Sequence, residues 1–231
     1  MKRSLFGIVA VIILTIVTAW WAVPLMLQKH IEVYLDQSIP MENRQVCVVM
    51  GNPLNVCRGQ IQRVTVEGNR VQTAGLVYEH VKINFTDLIF DWHKLLTNGM
   101  FIVTRIGGGE VSASLDQQAL ERYLKTRIDV VKNLQVDIQS DKISVSGELK
   151  LGDMSLGTIT LEGVPLLKNN HLVLLPNGLR FNRWGINEVQ SSLMKAIDIY
   201  DFRQFPIRVT AKEVKMTKGV IVVTAAPNQG I

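Results

Sequence analysis

Apolar and polar positions alternate with period two over most of this chain, and that period predicts strands. Val81, Ile83 and Phe85 alternate with Lys82, Asn84 and Thr86; Val111, Ala113 and Leu115 alternate with Ser112 and Ser114. Side chains two apart on a strand share a face, so each run presents one dry face and one wet face. The clearest case is "NLQVDIQSDKISVSGELKL", residues 133–151. Leu134, Val136 and Ile138 lead to Ser140-Asp141, and Ile143, Val145, Leu149 and Leu151 follow in step. That is the pattern of a hairpin. Ile207, Val209 and Ala211 alternate likewise, then slip before Val214 and Met216, as a bulge near Lys212 and Glu213 would cause.

Helical period replaces this pattern in a few places. Ser114-Leu115-Asp116-Gln117 resembles a capping box, and Ala119, Leu120, Tyr123, Leu124 and Ile128 then form one apolar stripe. Asn187 can cap a second helix in which Val189, Leu193, Ala196 and Ile197 share a face. "QKHIEVYLDQSIP", residues 28–40, predicts a shorter helix with Ile31 and Leu35 on its apolar side, stopped by Pro40. No repeat, low-complexity tract or linker divides residues 28–231. The expected fold class is α+β, in one domain over 28–231: a long curved antiparallel sheet covered by two amphipathic helices.

One N-terminal transmembrane helix is expected ahead of that domain, in residues 1–27. "LFGIVAVIILTIVTAWWAVPLML", from Leu5 to Leu27, carries no charge. As a helix it would reach about 34 Å, against roughly 30 Å for a hydrocarbon core. Trp20 and Trp21 suit an interface, and Lys2 and Arg3 would keep the N-terminus cytoplasmic. The segment reads as a retained anchor or as a signal cut before Trp20. Both readings export the body to the periplasmic side, and the anchor makes the protein a single-pass protein of the cell membrane.

Export changes how the two cysteines read. Cys47 and Cys57 flank a Gly51-Asn52-Pro53 turn, and in an oxidising compartment they are disulfide candidates. Two buried free thiols are the alternative. No further Cys or His completes a zinc spacing.

Charge and motifs narrow the chemistry further. The 25 basic and 20 acidic residues are scattered, and without a basic stripe a nucleic-acid partner is not expected. Of the four histidines, His30, His80, His93 and His171, none forms an i, i+4 pair. Asp91 and His93 would share a strand face, but no nucleophile accompanies them. Gly107-Gly108-Gly109 lacks the Gly-Lys-Ser/Thr of a phosphate loop and reads as a turn between strands. "LIFDWHKLL" puts large apolar groups on both faces, as a strand between two core layers does. No enzyme, metal or cofactor is expected.

The order of elements carries a resemblance. "GQIQRVTVEG" leads into "VKINFTDLIFDWHKLL", then "GGEVSASLDQQALERYL", "NLQVDIQSDKISVSGEL", "HLVLLPNGLRF" and a closing pair around "FPIRVTAKEVKMTKGVIVV". In this order the chain resembles the LmeA family of phospholipid-binding envelope proteins, over roughly residues 28–225. The resemblance implies an elongated apolar groove that holds lipid tails, with phospholipid or another membrane lipid as partner. Ile83 and Phe85 of the sheet, with Leu120, Leu124, Ile128, Val189, Leu193 and Ile197 of the helices, are the candidate lining. The function implied is a membrane-tethered lipid-binding or lipid-transfer protein. The alternative is a non-enzymatic envelope scaffold with a solid core that docks other proteins.

Overall fold

Two antiparallel sheets, and not one, take up the period-two segments. The structure is a computed structural model that describes residues 22–23, 25–33, 41–52, 55–56, 58–73, 75–128, 131–151, 154–181, 196–205 and 207–228. Its strands are β1 (Glu42–Val49), β2 (Gln60–Thr73), β3 (Leu76–Phe90), β4 (Val103–Asp116), β5 (Val131–Ile138), β6 (Ile143–Leu151), β7 (Met154–Lys168), β8 (His171–Phe181), β9 (Ile197–Asp201), β10 (Val209–Thr217) and β11 (Val220–Pro227). The first sheet has the order β1-β2-β3-β4-β11-β10, and the second runs β5-β6-β7-β8-β9. Helix among the described residues comprises α1 (25–33), α2 (Trp92–Asn98), α3 (Gln117–Arg127), a 3-10 turn at Phe202–Gln204 and the short helical stretches 22–23 and 55–56.

This corrects the α+β expectation: the fold is mainly β, with short helices. Of the two covering helices, α3 lies among the described residues and forms as expected. Asp116 caps it, its Oδ1 accepting from Ala119 N–H at 2.6 Å, and Leu120, Tyr123 and Leu124 turn into the core. Asn187, Val189 and Leu193 lie outside the described residues, while Ile197 opens strand β9 and is 38% exposed, not helical.

The membrane-span expectation is corrected too. Most of Leu5–Leu27 lies outside the described residues, and among those described no helix is long and apolar enough to cross a membrane. At the described end of that stretch Leu27 is 0% exposed and Ile31 5%, and both join the main hydrophobic cluster. Nothing therefore supports a single-pass protein. The disulfide also fails: Cys47 is a free, exposed thiol whose ladder partner is Thr65, and Cys57 lies outside the described residues.

Other elements follow the alternation. The 133–151 hairpin forms, with Val136 opposite Val145 and Ile138 opposite Ile143. The β10–β11 ladder slips between Ala211 and Glu213, where the broken alternation put a bulge. Gly107–Gly109 is no turn but lies inside β4, paired with β3. "LIFDWHKLL" is not one strand either: β3 ends at Phe90, and Asp91 caps α2 by accepting from Lys94 N–H. Asp91 and His93 are thus a cap and a helical residue.

Candidate functional site

One face of the first sheet is apolar across its width. Val46, Val66, Ile83, Val111 and Ala225 stand side by side on β1, β2, β3, β4 and β11, all buried. The next rung is Val48, Val64, Phe85 and Gly109. A Cβ on Gly109 would lie 2.4 Å from the Asn84 carbonyl oxygen and 2.9 Å from the Phe85 ring, so only glycine lets that ring settle there.

Helix α3 joins this face to the second sheet. Its apolar side holds Leu120 and Leu124 in the core, and its polar side caps the edge strand β5. Glu121 Oε2 accepts from Val136 N–H at 3.2 Å, and Gln117 Oε1 accepts from Ile138 N–H at 3.3 Å. Lys125 Nζ donates to Glu121 Oε1 at 2.6 Å. This ammonium holds the Glu121 carboxyl below the usual carboxylate range, and the Val136 N–H adds to the effect against the opposing pull of burial.

The sheets also meet through aromatic rings. Tyr78 of β3 stands edge-on to Tyr200 of β9 at 5.8 Å, and to Phe205 at 6.1 Å. The Tyr200 hydroxyl shares a hydrogen bond of 2.8 Å with Thr73 Oγ1. The Tyr78 hydroxyl approaches that of Tyr200 without hydrogen-bond geometry and is buried without a partner. Burial, reinforced by the neighbouring Tyr200 phenol, pushes the Tyr78 phenol well above its ordinary range.

The second sheet is as strictly two-sided. One face carries Gln135, Ser146, Thr160 and Arg180 in a row; the other carries the row Val136, Val145, Leu161 and Leu179. Near α3 and β9 this apolar face is closed, with Leu134, Val136, Ile138, Ile143, Leu172 and Tyr200 all buried. Farther along it opens. Val145, Leu149, Ile159, Leu161, Leu179 and Phe181 are all half-buried. Val145 and Leu161 still touch the hydrophobic cluster that includes Ile83, Phe85, Leu120 and Leu124, so the open strip continues the closed interior.

A polar pocket of about 610 Å³ adjoins the first sheet's apolar face. Beyond Phe85 and Val64 the ladders keep register. Ile61, Leu88 and Ile106, farther along, are buried. Gln60, Ile61, Gln62, Asp87, Ile89 and Arg105, which follow along these ladders, line the pocket.

Of the residues expected from sequence, Ile83 and Phe85 (1% and 8% exposed), Leu120 and Leu124 sit in the closed interior. Ile128 is half-buried at the end of α3, Ile197 is exposed, and Val189 and Leu193 lie outside the described residues. The open strip was not singled out, although the alternation of Val145 and Leu149 already placed part of it on a dry face. Arg105 and Asp87 carried no sequence signal, because only the register brings them to one pocket. No group of three metal-ligating side chains occurs among the described residues. A family model described as LmeA-like phospholipid-binding matches residues 48–226. No curated protein and no solved structure matches the chain.

Proposed function

Because the chain belongs to the LmeA-like phospholipid-binding family, we propose that it is a non-enzymatic carrier that takes acyl chains into its apolar interior and passes lipid between membranes. The half-open strip of the second sheet carries this reading. A methylene leaving an apolar phase costs about 0.8 kcal/mol, so a carrier must offer tails an apolar surface continuous with its own core. Val145, Leu161 and Leu179 form such a surface beside the closed cluster. The strands also satisfy their own backbone groups, so tails meet side chains and not bare amides.

The scaffold reading draws support from the first sheet, whose apolar face is closed like a solid core. The strip speaks against it, since a solid core has no reason to leave one side half exposed. Organic extraction of the purified full chain, followed by mass spectrometry, should recover phospholipid. Leu161→Glu should reduce the lipid recovered and slow transfer of fluorescent phospholipid between vesicles. A parent protein that carries no lipid and transfers none would overturn the carrier reading.

A further inference from the structure

The polar pocket holds two opposite charges that do not neutralise each other. Arg105 on β4 faces Ile89 of β3, and Asp87 lies two residues along β3 on the same face. Diagonal neighbours on an antiparallel ladder are roughly 7–8 Å apart, too far for a direct ion pair without reaching. Neither side chain forms an ion pair or hydrogen bond among the described residues. Between them stands Gly107, where a Cβ would come within 2.7 Å of the Asp87 Cβ. Asn52, Asn55, Gln60 and Gln62 line the pocket as well, together with the apolar Met50, Ile61 and Ile89.

We infer that this pocket receives a zwitterionic phosphoethanolamine headgroup, with Arg105 on the phosphate and Asp87 on the primary ammonium. The inference rests on the phospholipid-carrier reading and specifies its headgroup class. Guanidinium is the side chain best matched to phosphate oxygens, which it meets with a fork of N–H donors. A primary ammonium offers three donors, which suits a carboxylate in a pocket that Asn52, Asn55, Gln60 and Gln62 also line. A quaternary choline offers none and is recognised by aromatic cages instead; among the described residues no aromatic side chain lines this pocket. A phosphoglycerol headgroup would satisfy Arg105 through the same phosphate but would bring no cation to Asp87. Phe85 and Val64, two residues from Asp87 and Gln62 on the same ladder, tie the pocket to the buried hydrophobic cluster.

The test uses the delipidated full chain and vesicles of one acyl composition whose headgroup is phosphoethanolamine, its N-methylated series up to choline, or glycerol. The parent should take phosphoethanolamine lipid over the choline and glycerol lipids by about tenfold, the loss expected for one charge-assisted hydrogen bond. Asp87→Asn should erase that preference while total phospholipid uptake persists. Arg105→Gln should weaken all phospholipids about equally and leave diacylglycerol uptake unchanged. Both residues are exposed, so unchanged melting of the variants will separate lost recognition from lost folding. Uptake indifferent to headgroup in the parent, or a preference that survives Asp87→Asn, would overturn the inference while leaving the carrier reading intact. If no lipid of any headgroup were taken up, the carrier reading itself would fall. Soluble glycerophosphoethanolamine binding as tightly as the lipid would reassign the pocket to a free phosphoethanolamine compound.

Discussion

The Tyr78 and Tyr200 phenols sit side by side and should respond to the same substitution in opposite ways. Tyr200 spends its hydroxyl on Thr73, whereas the Tyr78 hydroxyl is buried without a partner. A buried polar group left unsatisfied costs about 1–3 kcal/mol, and a satisfied one contributes roughly 1 kcal/mol net. Tyr78→Phe should therefore melt at or above the parent, and Tyr200→Phe should lose about 1 kcal/mol in urea unfolding. The pH dependence follows from the same burial, which raises both phenols above their ordinary range. Above pH of about 10 the unfolded chain ionises its tyrosines while the folded one keeps its protons, so stability present below that pH is lost as pH rises. Tyr78→Phe should flatten this alkaline fall, and an unchanged slope would show that Tyr78 titrates normally. None of this was legible in sequence, because a tyrosine at a strand position reads the same with or without a partner. Gly107–Gly109 misled for a related reason. Glycines suggest a turn, but here they make room for the side chains of Asp87 and Phe85 within a ladder.

At the scale of elements, α3 does two jobs that its sequence stripe only half announced. The spacing of Leu120 and Leu124 predicted its buried side, but not that Gln117 and Glu121 would accept the edge amides of β5. Glu121→Ala leaves the Val136 N–H without its carboxylate and should cost about 1 kcal/mol, or roughly 2–4 °C of melting temperature. Because Lys125 and the Val136 N–H hold the Glu121 carboxyl low, its stabilisation is present above the ordinary pKa and lost as pH falls through the lowered one. The parent should therefore outlast Glu121→Gln at neutral pH, with the gap closing as pH falls below the ordinary carboxylate range. A constant gap across that range would mean that the carboxylate charge plays no part. Individual strands were legible because burial on one face imposes period two wherever a sheet meets a core. Their division into two sheets was not, since alternation tells a strand which way to face but never which strand lies beside it. The pairing of β11 with β4, about a hundred residues apart in sequence, is of that kind.

For the whole molecule, the decisive contrast is between an interior that is closed and one that is open along one side. Leu124 lies in the closed part, 8% exposed under α3, and Leu161 lies on the half-open strip of the second sheet. Replacing either by Trp adds similar volume, so the two substitutions compare the sites directly. At Leu124 the added ring has no free volume to enter, and overpacking should cost about 1–3 kcal/mol with a matching drop in melting temperature. At Leu161 the ring can lie along the strip, and melting should stay close to that of the parent. Lipid content should follow the reverse order. Leu161→Trp fills surface that tails would cover and should carry less phospholipid, while Leu124→Trp, once folded, should carry nearly as much as the parent. If Leu124→Trp were absorbed without loss of stability and displaced lipid, the tails would lie beneath α3 and not on the strip. Equal melting losses at both positions, with lipid unchanged, would leave the solid scaffold as the better account of these two sheets.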